Sequence, residues 1–236
     1  MIVALLSLLV SYIPCVLLFV YLRNLRKEDT DYRKNCTRLL RNGILCAFAV
    51  ILLAFAVNLA WKLTGFAKSS PLLKVAFEEF IMAALIEEFV KYKTAGKVIK
   101  KNKNGITWLD CIAFTAIVGI GFQVIESIVY VFETNVIQIL VRGFTMGHPA
   151  YGMLMGYFTG KALYTKKRSY NALAFGLPFL IHGMYDFSLA DEFQALNDNL
   201  VFVPFIIIFI ELTILIRMLF LIKKERRLEK FTTAIQ

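Results

Sequence analysis

Apolar residues run without a charge through Met1–Tyr21 and again through Gly43–Trp61. About 20 such residues suffice for a helix to cross the hydrocarbon core of a bilayer. A helix also pairs all its backbone groups internally, which lipid demands. Seven apolar segments can be drawn, at about 1–22, 43–61, 71–95, 108–132, 136–164, 170–190 and 200–222. The third and fifth carry polar groups or exceed a simple span. The pattern predicts an all-α polytopic membrane bundle of about seven transmembrane helices. No low-complexity segment or long linker interrupts it, so residues 1–236 read as one integral-membrane domain with a motif-bearing core at about 71–190.

Composition agrees. Hydrophobic residues make up 58% of the chain and mean hydropathy is +0.65, against roughly 45–50% apolar in soluble domains. This leaves no room for a soluble catalytic domain. Only 19% of residues are charged, yet the net charge is +10, so charge placement carries the topology. Most Lys and Arg fall in alternate connections: 22–42, 92–104, 165–169 and the tail after 222. The connections between these hold only Lys62, Lys68 and Arg142 as basic residues, and Asp191–Asn199 holds none. Cytoplasmic loops collect Lys and Arg, which predicts an N-terminus outside, a C-terminus inside and a multi-pass protein of a cell membrane. The same alternation argues against a nucleic-acid surface. The first basic residue is Arg23, so the first segment reads as a retained helix rather than a cleaved signal. Cys15, Cys36, Cys46 and Cys111 form no CxxC pair and read as small buried hydrophobes.

Gly152, Gly156 and Gly160 recur every fourth residue on one helix, a spacing that lets two membrane helices approach backbone to backbone. Gly119 and Gly121 read the same way, and Pro149 is expected to bend or start a helix beside His148.

Against this apolar background several ionisable residues stand out, because such groups in a spanning helix are costly and face a bundle interior or a watery cavity. They are Glu87, Glu88 and Lys91 in the third segment, Glu126 in the fourth, His148 in the fifth, and His182 with Asp186 in the sixth. Glu87 and Lys91, Phe122 and Glu126, and His182 and Asp186 are each four residues apart and so neighbours on a helix face. Three helices thus present polar faces expected to look into one cavity, with Asp186 able to orient the His182 ring. Hydrolysis of a peptide bond needs a base for water and a donor or cation for the oxyanion. Two routes stay open. In one, Glu87 and Glu126 activate water while His148, His182 and Asp186 position the reactants. In the other, Glu126, His148 and His182 hold Zn²⁺ and Glu87 is the base, although no HExxH is present. Glu78 and Glu79 read instead as an exposed helix edge, with Lys74 paired to Glu78. Glu211 and Arg217 read as packing or snorkelling groups.

Glu87-Glu88-Phe89-Val90-Lys91 fits EExxK, Phe122 to Glu126 fits FxxxE, and His182 to Asp186 fits HxxxD. This order, with His148 between the last two, resembles the PrsW family of bacterial intramembrane proteases, relatives of the CAAX prenyl protease and bacteriocin-immunity superfamily. The resemblance covers 87–186. It implies a catalytic EExxK pair, with Glu87 as general base and Glu88 in support. It also implies a single-span substrate of the anti-sigma-factor kind, first cut on the outer side of the membrane in an envelope-stress response. The prenyl proteases carry His at the position of Glu126 and commonly Asn at that of Asp186, so their site roles transfer loosely. The alternatives are a proton- or ion-coupled transporter, for which no internal repeat is visible, and a non-catalytic immunity-type binder of membrane peptides. Lateral access from lipid makes membrane lipid a further partner.

Overall fold

The structure is a computed structural model that describes residues 2–63, 70–133 and 135–235. Eleven α-helices, one π-helical stretch and one 3₁₀ turn account for nearly all of them, with no strand among the described residues. The first segment bends at Tyr12 into α1 (Ile2–Ser11) and α2 (Ile13–Arg23), where Pro14 stands in the first turn of α2. α3 runs over Thr30–Leu63. It therefore absorbs most of the basic 22–42 connection into a helical extension instead of leaving it as a loop.

The third segment is one continuous helical rod. Ser70 caps it by accepting from the Leu73 N–H at 3.3 Å, with Pro71 in the first turn. It proceeds through α4 (Pro71–Phe77), a π-helical stretch (Glu78–Leu85) and α5 (Ile86–Lys101). The fifth segment is two helices, α7 (Val136–Thr145) and α8 (Gly147–Thr165), broken at Met146 with φ of 50°. Asn135 and Gln138 form a reciprocal capping box at the start of α7. α6 (Trp108–Glu133), α9 (Arg168–Leu189), the short α10 (Asp191–Gln194), the 3₁₀ turn (Asp198–Phe202) and α11 (Val203–Ile235) complete the chain.

Five stretches are long and apolar enough to cross a membrane: Ile2–Arg23, Thr30–Trp61, Trp108–Phe132, Arg168–Leu189 and Asp198–Arg227. The carboxylates keep the third segment out of this set, and the Met146 break divides the fifth. Of the residues in the outer connections, Lys68 lies outside the described residues.

The centre of the bundle is the α6–α8 seam. A Cβ at Gly152, Gly156 or Gly160 would come within 2.6, 2.4 and 2.9 Å of the carbonyl oxygens of Thr115, Cys111 and Trp108. The glycine spacing thus works as expected, bringing α8 onto α6 backbone to backbone. Gly121 does the same against α3, where a Cβ would meet the Leu40 carbonyl at 2.3 Å. All four cysteines are free and buried.

Candidate active site and metal centre

Four helices bring the site together. Glu87, Glu88 and Lys91 occupy the first turns of α5, directly after the π-helical stretch, a rare helix form that recurs at functional sites. Glu126 is on α6, His148 begins α8, and His182 and Asp186 stand in the second half of α9. Counting from the helix ends that adjoin the basic connections gives similar depths. Glu87 is 14 residues from Lys101 and His182 is 14 from Arg168, about 21 Å each, and Glu126 is 18 from Trp108, about 27 Å. The long rod of α4 to α5 thereby brings the acid pair level with the other site residues. Two close approaches fix the assembly. A Cβ on Gly119 would lie 2.4 Å from the His148 carbonyl, and one on Gly183 would lie 2.5 Å from the Phe80 ring.

The Lys91 ammonium sits at the middle of the cluster. It lies 3.0 Å from Glu87 Oε2, 2.9 Å from Glu88 Oε1 and 2.8 Å from His148 Nδ1, and 3.9 Å above the centre of the Phe122 ring. Phe122 also packs edge-on against His148. On its other side, His148 Nε2 is 2.5 Å from Glu126 Oε2, and Glu126 in turn accepts from Arg142 Nη2 at 3.0 Å. His182 has the matching arrangement, with Nε2 3.0 Å from Asp186 Oδ2 and Nδ1 3.0 Å from Glu88 Oε1. Tyr151 stacks on His182 at 5.1 Å. Glu88, Lys91, His148 and His182 are buried, and Glu87 is the most exposed of the five, with 11% of its side chain accessible.

These contacts test whether the cluster suits a metal. A histidine that binds a metal through one ring nitrogen donates the other N–H to a carboxylate. Glu126 and Asp186 fill that role at the Nε2 atoms of His148 and His182, so both Nδ1 atoms turn inward. His182 Nδ1 then faces Glu88 Oε1, a contact between two acceptors that calls for a proton or cation between them. Glu88 Oε2 is buried without a hydrogen-bond partner, a costly state for a carboxylate oxygen. One donor atom from each of Glu87, Glu88, His148 and His182 lies within 4.8 Å of all the others. Two imidazoles and two carboxylates suit a catalytic zinc site, so the residues present fit a metal ion, which would displace the Lys91 ammonium from His148 Nδ1 and Glu88 Oε1. Glu126, read from the sequence as a ligand candidate, stands outside this group on the far nitrogen of His148.

Beside the cluster lies a cavity of about 20 Å³, enough for one water molecule. It opens between the Glu126–His148 and His182–Asp186 pairs, and its wall also includes Arg142, Tyr151 and Glu211. The sequence pattern does not point to these three as site residues. Arg142, expected in an outer connection, is largely buried and bonded to Glu126. Glu211, expected as a packing or snorkelling group, is buried and accepts from the Tyr151 hydroxyl. An isolated acid in the apolar last segment was the available signal. Glu78 behaves as expected, 3.8 Å from Lys74. Glu79 differs from the expected exposed edge: it turns inward and lines a groove with Asp186.

A family model described as "PrsW family intramembrane metalloprotease" matches residues 36–212. The chain is 29% identical over 180 residues to a "Protease PrsW" of Clostridioides difficile, covering 72% of this chain and 74% of that one. It is 30% identical over 179 residues to a "Protease PrsW" of Halalkalibacterium halodurans, covering 72% and 76%. A "Protease PrsW" of Geobacillus kaustophilus is 34% identical over 118 residues, about half of each chain. No solved structure matches.

Proposed function

The chain belongs to the PrsW family of intramembrane metalloproteases, and from that premise we propose that it cuts a single-span membrane protein of the anti-sigma-factor kind near the outer face of the bilayer. The observation that carries this reading is the buried set of Glu87, Glu88, Lys91, His148 and His182 held together inside an apolar bundle. Ionisable groups inside a membrane protein are rare and costly, and by default they mark a functional site. The outer-face assignment is supported by charge. Lys100 and Lys101 end α5, and Lys166, Lys167 and Arg168 join α8 to α9, all at the end of the bundle away from the site.

His148, His182 and Glu88 would hold the metal ion, with Glu87 beside it. Such an ion supplies Lewis-acid polarisation of the scissile carbonyl and acidifies water. The chain's own residues do the rest. Glu126 and Asp186 hold the proton on Nε2 of their histidines and fix both rings. Glu87 is the general base. Its carboxylate is more open than that of Glu88, and its Oε2 lies 4.0 Å from both His148 Nδ1 and His182 Nε2. It takes the proton of the attacking water and passes it to the departing amine nitrogen. Lys91 places its ammonium against Glu87 and Glu88 and balances two carboxylates that the bundle could not otherwise bury. The apolar walls exclude bulk water, which strengthens every electrostatic contact at the site.

The test is cleavage of a tagged single-span protein by purified enzyme in lipid vesicles, with the cut mapped by mass spectrometry. A cut on the outer side that disappears in Glu87→Gln is expected. A cut on the cytoplasmic side, or equal cutting of a soluble peptide without its span, would refute the outer-face reading.

A further inference from the structure

Two apolar grooves of similar size open on the lipid-facing surface. One, of about 510 Å³, lies between α7, α9 and α11. The other, of about 590 Å³, lies between α2 and α11. Their walls are alike. Ile137, Val141, Phe205 and Ile208 line the first, and Leu17, Leu18, Ile216 and Phe220 the second. Their floors are not. The first has Arg142, Tyr185 and Asp186 at its base, and all three also line the catalytic cavity. The second has no residue of the site.

We propose that the α7–α9–α11 groove is the substrate channel, taking a locally unwound apolar segment of the membrane-protein substrate and presenting its backbone to the cavity past Arg142. The proposal rests on the proteolytic reading above and adds the place and form in which the substrate binds. A lipid tail needs only apolar walls, which both grooves offer. An unwound peptide brings backbone N–H and C=O groups that need polar partners in lipid, and the first groove provides them beside the site, at Gln138, Arg142 and Asp186, whereas the polar groups of the second, Tyr21 and Lys223, adjoin no site residue. Arg142 stands at the junction. One of its N–H groups is bonded to Glu126, its guanidinium lies 3.7 Å over the Tyr130 ring, and its plane carries further donors suited to a carbonyl oxygen. The apolar walls are wide enough for large side chains, so residues flanking the cut are expected to be bulky and apolar.

The groove can be filled without touching the catalytic set. Membranes from cells producing wild type, Glu87→Gln, Val141→Trp, Ile208→Trp, Leu17→Trp or Ile216→Trp are compared by terminal-peptide mass spectrometry. Fragments present with wild type and absent with Glu87→Gln define the products whatever their identity. Val141→Trp and Ile208→Trp are expected to lower these fragments at least tenfold, with melting temperature and metal content kept. Leu17→Trp and Ile216→Trp, in the second groove, are expected to leave them unchanged. Phe205→Ala, which widens the channel, should shift the cuts toward bulkier flanking residues, and it reads the channel even where a tryptophan variant does not fold. Undiminished fragments in the folded tryptophan variants together with unshifted cuts in Phe205→Ala, or equal losses from both grooves, would overturn the channel while leaving the protease in place. No Glu87-dependent fragment at all would instead remove the proteolytic reading, and the channel with it.

Discussion

α3 and α6 are both long and apolar enough to cross a bilayer, yet 72% of the spanning stretch of α6 is buried inside the protein against 22% for α3. The two helices meet their neighbours differently. α6 offers Ala113, Ala116, Gly119 and Gly121 to its neighbours, whereas α3 turns Leu52 and Phe55 toward lipid. Lipid tails are as apolar as leucine, so apolarity alone does not draw one helix to another. Close backbone packing and polar contacts do. The same rule explains where the chemistry sits. The small residues of α6 let α8 and α3 close around it, and Glu126 is carried on that helix into contact with His148 and Arg142.

The sharpest way to break this comparison is at the buried polar set. Glu87→Gln, Glu88→Gln, Glu126→Gln, His148→Ala and His182→Ala are each expected to lower cleavage of a single-span reporter by about 10²–10⁴-fold, the range for loss of a general base or its support. The two histidine variants and Glu88→Gln should also lose metal by elemental analysis. A Glu126→Gln variant that keeps its metal while losing activity would place Glu126 behind His148 and not on the ion.

Much of this set was legible in the sequence. Charged groups in apolar segments announce themselves, and the four-residue spacings of Glu87 with Lys91 and of His182 with Asp186 translate directly into contacts on one helix. Contacts between helices do not translate so simply. Periodicity says which face of α11 carries Glu211 but not that this face meets Tyr151. It likewise could not say that Arg142, in a segment that breaks at Met146, folds back onto Glu126. The π-helical stretch and the helical course of residues 30–42 were equally hidden, because neither changes the pattern of apolar residues.

Lys91→Met tests the buried charges from the other side. Removing one partner of a buried ionic cluster costs about 3–5 kcal/mol, because the remaining charges lose their compensation. Two carboxylates would be left facing one another within α5. A large fall in melting temperature in detergent is expected, partly restored by Zn²⁺ as a replacement cation. Full stability without metal would show that the cluster does not depend on the ammonium.

The packing half of the comparison is tested by Gly156→Ala against Leu52→Ala. A Cβ at Gly156 meets the Cys111 carbonyl at 2.4 Å and the Thr115 hydroxyl at 2.1 Å. Overpacking of this kind costs about 1–3 kcal/mol. Leu52, 72% exposed on α3, is expected to change stability by less than about 0.5 kcal/mol. Thermal unfolding in one detergent ranks the two. Equal losses would mean that the α6–α8 seam is no more demanding than the lipid face.

The smallest effect is expected at the neighbouring acids of the π-helical stretch, which repeat the contrast between outside and inside within two residues. Glu78 lies 3.8 Å from Lys74 with 39% of its side chain accessible. Exposed pairs of this kind contribute about 0–1 kcal/mol, and Glu78 touches no site residue, so Glu78→Gln should leave cleavage within about twofold of wild type. Glu79 lines the groove that leads to Arg142 and Asp186. Its neutralisation alters the charge a substrate meets on the way in, but not the groups that move protons. Glu79→Gln should therefore change KM by a few-fold and leave kcat nearly constant, since an interaction made equally in ground and transition states shows in KM alone. Steady-state kinetics on the single-span reporter separates the two. A loss in Glu78→Gln as deep as that of Glu87→Gln would overturn the placing of Glu78 outside the catalytic set.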